Sequence, residues 1–293
     1  MLQKIDFILA NPSGNLTILV LTQVPRTQYQ RIAQQLLALK EYRAEQVGFI
    51  RSAFANPAQN FPEMEMCGLE FCGNASRAFA LYLAQRAAGS ASHNIDNAHA
   101  VHTASHAAQS QLQQITVQVS GCQTPLTALV NLADGDVSME MPIPIACREY
   151  SAKDLSLNRS GTLVSMEGIS HLILEDIPPM QDTFEHLKHL IYRENPELPA
   201  FGVMFCDTEH DNMTPVVYVK NVDSTCFEGS CASGTVAAAF ARSRKRSDGR
   251  HEFTMQQPEG TLQAIVTKEN DLIRSISLKG RITLSKVQTV SLP

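Results

Sequence analysis

The chain has 293 residues, enough for two domains of ordinary size, and its 44% hydrophobic and 18% charged residues exclude a disordered or fibrous protein. The net charge of -5 argues against a general nucleic-acid binder, and no apolar stretch reaches the ~18 residues of a membrane span. The N-terminal apolar stretch is too short for a signal peptide. Seven cysteines, an odd number in a long chain, do not suggest a disulfide framework, so we expect a cytoplasmic protein with reduced thiols.

The first half of the chain has a clear order of predicted elements. A turn leads into an apolar strand over residues 11–21, and residues 27–40 carry apolar side chains at helical spacing. A strand follows over residues 45–50. Cys72 then precedes a run of small residues that opens a helix, and a pair of strands turns at Gly135, within an Asp-Gly pair.

The second half repeats this order. A strand is predicted over residues 166–176, a helix over 180–193 and a strand over 201–207. Cys231 precedes a second helix of small residues, and a later pair of strands turns at Asn270, within an Asn-Asp pair.

The repeat predicts an α+β fold with two pseudo-symmetric domains, residues 1–141 and 142–282. Each domain would wrap β-strands around one central helix, because a helix that is apolar on nearly all faces is buried. Each cysteine would then lie at the mouth of its domain, with the active site in the cleft between the two.

One segment breaks the symmetry. Residues 85–113 are rich in Ala, Ser, Asn and His and have no counterpart in the second half. His99, His102 and His106 would share one face of a helix, with Asp96 as a fourth metal ligand. The segment has little apolar surface to hold such a helix rigid, so we interpret it as a surface insertion and predict no metal site.

The two cysteines before the helices carry the chemistry. A thiol at a helix N-terminus faces unpaired N–H groups and the positive end of the helix dipole, which predicts a lowered pKa for Cys72 and Cys231. Two such thiols on opposite faces of an amino-acid α-carbon can remove a proton from one face and return one to the other, as in a two-base racemase. The small residues that follow, Gly73 and Asn74 in one helix and Ala232 and Ser233 in the other, would offer N–H groups to the substrate carboxylate.

Other interpretations remain open. A cysteine before a small-residue helix is often an ordinary buried residue, and Cys67 and Cys226, each five residues upstream of its partner, are interpreted as packing residues close enough in sequence to form a disulfide. A noncatalytic ligand-binding or redox-responsive protein therefore stays possible. No Walker A, GxGxxG or CxxC motif and no recognisable pyridoxal phosphate lysine is present, so we expect no cofactor.

Several motifs resemble one known family. They are PSGN at 12–15, Gln46, CGNAS at 72–76, His171 and CASGT at 231–235, and they resemble the diaminopimelate epimerase fold, which includes proline racemase. Within that fold, the strings NPSGNLTILV, EQVGFI and EFCGNA are most similar to the cofactor-independent histidine racemases of staphylopine-type metallophore pathways.

The resemblance implies interconversion of L- and D-histidine without pyridoxal phosphate or metal, with Cys72 and Cys231 as the two bases. It further implies that the partner is a small-molecule amino-acid substrate and that D-histidine is supplied to an opine-type metallophore. It places Asn15, Gln46 and Asn74 at the substrate and returns residues 283–293 to the first domain. A homodimer is left open.

Acidic residues near the two cysteines, and the lack of an arginine before the second, indicate which kind of substrate side chain fits. Glu228 is the candidate for holding the α-ammonium group, the alternative being a carboxylate that caps the helix. Glu70 is less favoured, because an acid beside Cys72 would oppose thiolate formation. Diaminopimelate epimerases have an arginine ahead of this cysteine that engages a second carboxylate, and STCFEGSC has none, which favours an uncharged or weakly basic side chain. Ala232 replaces their usual glycine. Diaminopimelate or another amino acid is the alternative substrate.

Overall fold

A computed structural model describes residues 2–52, 61–95 and 112–293. The fold is α+β and rich in strands. The elements of the first half are β1 (Gln3–Pro12), β2 (Thr17–Val20), α1 (Tyr29–Leu37), β3 (Gln46–Ser52), β4 (Glu63–Met66), α2 (Gly73–Ile95), β5 (Leu112–Val119), β6 (Leu126–Asn131) and β7 (Asp136–Met141).

The second half contributes the remaining elements. They are β8 (Ala146–Tyr150), α3 (Ala152–Leu155), β9 (Gly161–Met166), β10 (Ile169–Glu175), α4 (Gln181–Glu194), β11 (Ala200–Asp207), β12 (Asn212–Val219), β13 (Ser224–Phe227), α5 (Ala232–Arg244), β14 (Gly249–Gln257), β15 (Gly260–Glu269), β16 (Leu272–Leu284) and β17 (Gln288–Leu292). The predicted order of strand, helix, strand, helix and strands, twice over, is confirmed.

Strand pairing repeats as well. In the first half β1 and β2 pair antiparallel, β2 and β3 parallel, β3 and β4 antiparallel, and β4 and β5 parallel. In the second half β9 and β10 pair antiparallel, β10 and β11 parallel, β11 and β12 antiparallel, and β12 and β14 parallel. The last strand, β17, returns to pair antiparallel with β1.

The two predicted hairpin turns are confirmed. Gly135 has φ 73° between the antiparallel strands β6 and β7, and a side chain there would also collide with the Ile282 carbonyl. Asn270 and Asp271 have φ 52° and 62° and join β15 to β16. Glycine, asparagine and aspartate all tolerate the left-handed conformation that a tight hairpin turn requires.

Helices α2 and α5 are buried over most of their length. Every residue from 71 to 84 is buried, and so is every residue from 230 to 239. Small side chains dominate the second segment, which lets strands approach the axis of α5 closely. Helix α5 has 13 residues and derives its stability from the surrounding strands, since a helix of that length is marginal alone in water.

The predicted surface insertion, residues 85–113, begins within helix α2. Helix α2 continues to Ile95, with residues 85–87 exposed, because its Ala, Gln and Arg residues favour helix beyond the point where the core ends. The candidate ligands Asp96, His99, His102 and His106 lie outside the described residues. Within the described ranges, no cluster of three His, Cys, Asp or Glu side chains is arranged to hold a metal ion. In those same ranges no helix has the length and apolar character needed to cross a bilayer.

Candidate active site

The N-termini of α2 and α5 meet at one cavity of about 460 Å³. Cys72 directly precedes α2, and Cys231 is the extended residue that caps α5. Both thiols are nearly inaccessible, at 9% and 5% exposure. Eight of the nine predicted site residues line this cavity: Gln46, Cys72, Gly73, Asn74, Glu228, Cys231, Ala232 and Ser233.

Asn15 is the exception. Its side chain is fully buried outside the cavity wall, where its Nδ2 donates to Glu45 Oε2 at 2.8 Å. Asn15 therefore holds a residue of the wall, and its predicted place at the substrate stays a prediction.

The two cysteine segments are folded by matching hydrogen bonds. Ser76 Oγ donates to the Cys72 carbonyl at 2.7 Å, and Thr235 Oγ1 donates to the Cys231 carbonyl at 2.7 Å. Gln257 adds a brace on the second segment, accepting from the Cys231 N–H at 2.7 Å. In each predicted run of small residues, one hydroxyl side chain thus fixes the first helical turn: Ser76 in the first run and Thr235 in the second.

Gln46 connects the first thiol to an acid from the other half of the chain. The Cys72 thiol donates to Gln46 Oε1 at 2.7 Å, and Gln46 Nε2 donates to Glu228 Oε1 at 2.9 Å. The Ala75 N–H points at Cys72 Sγ at 3.4 Å. Since the Gln46 oxygen accepts a proton from sulfur, this contact favours the protonated form of Cys72 in the empty site.

Cys231 has a polar neighbour of its own. Ser233 Oγ lies 3.6 Å from Cys231 Sγ and 2.8 Å from His171 Nε2. His171 is fully buried, and burial lowers its pKa to about 3, so its ring is neutral. A side chain at Gly202 would lie 2.5 Å from His171 Nδ1, so glycine there leaves room for the ring. His171 orients Ser233 without touching the cavity.

The predicted lowering of the cysteine pKa values is wrong for the ligand-free protein. Burial raises the pKa of Cys72 to about 12 and that of Cys231 well above its usual value, and the negative charge of Glu228 raises both further. N–H groups of Ala75 and Gly234 act in the expected direction and are outweighed. Desolvation destabilises a buried thiolate by more free energy than one helix N-terminus provides in stabilisation. Both groups are therefore thiols before substrate enters.

Carboxyl groups dominate the charged part of the wall. Burial raises the pKa of Glu228 and of Glu45 to about 7 each, and burial also raises the pKa of Glu70. Asp223 is the fourth acid. Among the described residues, no lysine, arginine or histidine lines this cavity, so its charge complements a cation.

Three of these acids differ in the hydrogen bonds that their carboxyl oxygens accept. Glu228 is 5% exposed, and its Oε2 has no hydrogen-bond partner among the described residues. Glu70 Oε2 is also buried without one, and its charge raises the pKa of Cys72 as the sequence predicted. Glu45 is held by Asn15 and by the Gly229 N–H at 3.3 Å. Sequence reasoning missed Glu45, although it stands directly beside Gln46.

The other cysteines are all free thiols. Cys67 and Cys226, interpreted as packing residues, are half-buried and line the cavity, and Cys67 also packs against a hydrophobic cluster. Cys206 lies within the buried strand β11, away from the cavity wall.

Gly73 and Ala232 face each other where the two helix ends meet. A Cβ on Gly73 would lie 2.9 Å from Ala232 Cβ and 3.1 Å from Met141 Cε. The methyl group of Ala232 is therefore accommodated by the glycine opposite. One methyl group in this position is tolerated and two are not.

A matched pair of substitutions tests this contact. We expect Gly73→Ala to lower the free energy of unfolding by about 1–3 kcal/mol, because the extra methyl group overpacks a closed site. The double variant Gly73→Ala/Ala232→Gly should recover most of that loss in urea unfolding, and Ala232→Gly alone serves as the control. A double variant no more stable than Gly73→Ala would contradict the contact.

Comparison with known proteins places the chain in a family. A family model described as the histidine racemase CntK N-terminal domain matches residues 4–290. The chain belongs to the histidine racemase family. The resemblance inferred from the cysteine motifs is thereby confirmed.

Curated relatives of this family match over nearly full length. A histidine racemase of Fusobacterium nucleatum is 32% identical over 272 residues, which cover 92% of this chain and 91% of that protein. A histidine racemase of Staphylococcus aureus is 29% identical over 288 residues, covering 96% and 95%.

Solved structures agree on the fold. A hydroxyproline epimerase from Agrobacterium vitis superposes with a TM-score of 0.61 at 9% identity, covering 99% of this chain and 93% of its own. A PhzF-family protein from Bacillus anthracis gives 0.60 at 15% identity, covering 98% and 99%. At these identities the similarity establishes the epimerase-like fold and leaves the substrate open.

Proposed function

We propose that the protein interconverts L- and D-histidine by a two-base mechanism without pyridoxal phosphate or metal. The observation that carries the proposal is the position of Cys72 and Cys231, at two facing helix N-termini on one cavity. Membership of the histidine racemase family supports histidine as the substrate.

We also propose that the chain forms two pseudo-symmetric domains with the site between them. The first comprises residues 1–141 together with 283–293, and the second residues 142–282. The repeated pairing order and the return of β17 to β1 support this division. The cavity draws residues from both halves, which is what a site between domains requires.

The reaction begins with one thiolate and one thiol. Glu228 interacts with Cys231, and the carboxyl and the thiol titrate as a coupled pair. Transfer of the Cys231 proton to the Glu228 carboxylate leaves a thiolate and a neutral acid. Cys72 remains a thiol, since its proton is donated to Gln46.

Inversion then takes two proton transfers. The Cys231 thiolate takes the α-proton of the bound amino acid, and the Cys72 thiol delivers its proton to the opposite face of the α-carbon. After the second transfer, Cys231 is a thiol and Cys72 is a thiolate, so the numbers of protons and charges are conserved. The reverse direction exchanges the two roles.

The carbanion needs stabilisation between these transfers. Its charge moves into the carboxylate, giving an enediolate, and the first N–H groups of α2 and α5 have no partner within their own helices. The N–H groups of Gly73, Asn74, Ala232 and Ser233 occupy these first turns and border the cavity. Donors fixed before the reaction cost no reorganisation when the charge develops.

The acidic wall supports histidine over diaminopimelate. Four carboxyl groups and no basic side chain among the described residues face the cavity, so a second substrate carboxylate would have no partner and would be repelled. The α-ammonium and an imidazole N–H are donors that such a wall accepts. The cytoplasmic location and the supply of D-histidine to an opine-type metallophore stay predictions.

The proposal is tested with purified, reduced, pyridoxal-free protein and L-histidine in deuterated water. We expect chiral chromatography to show conversion to D-histidine, with deuterium at the α-carbon of the product, because the returned proton comes from a thiol in exchange with solvent. The matched control is meso-diaminopimelate, which should not change. Turnover of diaminopimelate with no change in histidine would transfer the assignment to the alternative substrate.

A further inference from the structure

Arg77 is a fully buried arginine beside the active site. It lies on α2, five residues after Cys72, and its side chain is the largest of those with no solvent exposure. A buried charge is costly unless it is paired or well hydrogen-bonded. Its presence in the buried part of α2 calls for a reason.

The guanidinium has few partners, and none is an acid. Nη2 donates to Asn74 Oδ1 at 2.8 Å and Nη1 to the Gly280 carbonyl at 3.2 Å, while Nε has no partner. No ion pair within the described ranges includes Arg77. Asp136, whose charge reaches it, is paired with Lys279 at 3.0 Å. The positive charge is therefore not neutralised by a neighbouring carboxylate.

One of these bonds continues to the second cysteine segment. Asn74 Nδ2 donates to the Ser230 carbonyl at 3.1 Å, and Ser230 directly precedes Cys231. Because Arg77 occupies Asn74 Oδ1, the amide can only present its Nδ2 to Ser230. A chain of hydrogen bonds thus runs from Gly280 through Arg77 and Asn74 to the backbone beside Cys231.

The charge of Arg77 lies close to the first cysteine segment, because Nη2 is bonded to the side chain of Asn74, two residues after Cys72. Burial lowers the pKa of Arg77 to about 10, and the Cys72 thiolate acts in the opposite direction. The other charged groups that act on Cys72 are Glu228 and Glu70, which both oppose its ionisation, and Gln46 contributes a neutral amide. Of these charged groups, Arg77 is the one with a positive charge.

We propose that Arg77 is a positioning residue for the two-base reaction: it aligns Asn74 across the cavity, and its charge offsets the negative charge that develops on Cys72. The catalytic part of this inference rests on the proposed function; the alignment rests on the hydrogen bonds of Arg77 and Asn74, and the charge effect on the position of the guanidinium beside Asn74. Lysine keeps the charge but cannot make the forked pair of bonds, and methionine keeps the volume without the charge.

The test separates charge from alignment. Alkylation of Cys72 by iodoacetamide at about pH 9, followed by mass spectrometry, reports its thiolate, with half-buried Cys67 in the same cavity as the internal reference. We expect Arg77→Met to slow alkylation of Cys72 about tenfold relative to Cys67, and Arg77→Lys to change it less than about threefold. Both variants should lose about tenfold or more in kcat with a small change in KM.

Asn74→Ala covers the case in which Arg77→Met fails to fold. Asn74→Ala removes the hydrogen bonds that connect Arg77 to Ser230 and leaves the charge of Arg77 in place. We therefore expect kcat to fall while the ratio of Cys72 to Cys67 alkylation stays at the wild-type value. Equal alkylation ratios in wild type, Arg77→Met and Arg77→Lys would overturn the role of the charge, and full kcat in Arg77→Lys would overturn the alignment. The alkylation arm uses no histidine, so a failure of the proposed function is distinguishable from a failure of this inference.

Discussion

Replacing either Cys72 or Cys231 by serine is expected to lower the rate of histidine racemisation by about 10²–10⁴-fold. Inversion needs an acid on one face of the α-carbon and a base on the other, and a serine hydroxyl ionises far less readily than a thiol. Loss of one group therefore stops racemisation in both directions. Chiral chromatography of histidine started from each enantiomer measures the effect.

The single variants also separate the two faces. In deuterated water each variant should retain slow α-proton exchange with one enantiomer only, the one whose proton points at the remaining cysteine, and the two variants should retain opposite enantiomers. Cys226→Ser is the matched control, because Cys226 lines the same cavity five residues before Cys231. Near-wild-type racemisation by either Cys72→Ser or Cys231→Ser would rule out the two-base mechanism.

The second large effect is expected at Glu228. Glu228→Gln keeps an oxygen for the bond from Gln46 but removes the carboxylate that takes the Cys231 proton before the reaction, so kcat/KM for histidine should fall about 10- to 100-fold. The pKa of Glu228 is raised to about 7 by burial, so the wild-type kcat/KM should fall as pH drops below 7. Glu228→Gln should lose this acid limb in a steady-state pH profile, and a retained limb would assign it to another group.

Stability provides an independent readout of the same group. A carboxyl pKa raised in the folded state means that the folded protein binds the proton more tightly than the unfolded chain does. The contribution of Glu228 to stability is therefore present below its ordinary pKa of 4.5 and is lost as pH rises to about 7. Ligand-free wild type should lose up to about 3 kcal/mol over this window relative to Glu228→Gln.

Thermal unfolding at both ends of the window tests this sign. Glu228→Gln should gain stability on wild type at high pH and match it at low pH. Glu209→Gln, at an exposed position, is the control for removal of one acid. If wild type and Glu228→Gln respond identically to pH, the group that titrates with a raised pKa is not Glu228.

Sequence reasoning located the two helix starts that face the cavity and missed several residues around them. The cysteine motifs identified six lining residues because each motif is a short run of small side chains at a helix start, whereas Gln46 followed from the family resemblance and Glu228 from its place before Cys231. Glu45, Gln257 and Arg77 carry no such local signal, since an acid, an amide and an arginine are ordinary in any exposed segment. Only their burial against distant segments makes them part of the site.

Local sequence determined the elements, their order, the hairpin turns and the two cysteines that precede the buried helices, because periodicity, turn residues and helix starts depend on residues a few positions apart. Tertiary structure alone decided the state of those cysteines. Cys72 meets Gln46, 26 residues away, and Gln46 meets Glu228, 182 residues away. Burial and opposing acids from such distant segments outweigh the helix end, and this is why thiols predicted to ionise easily are held protonated in the empty site.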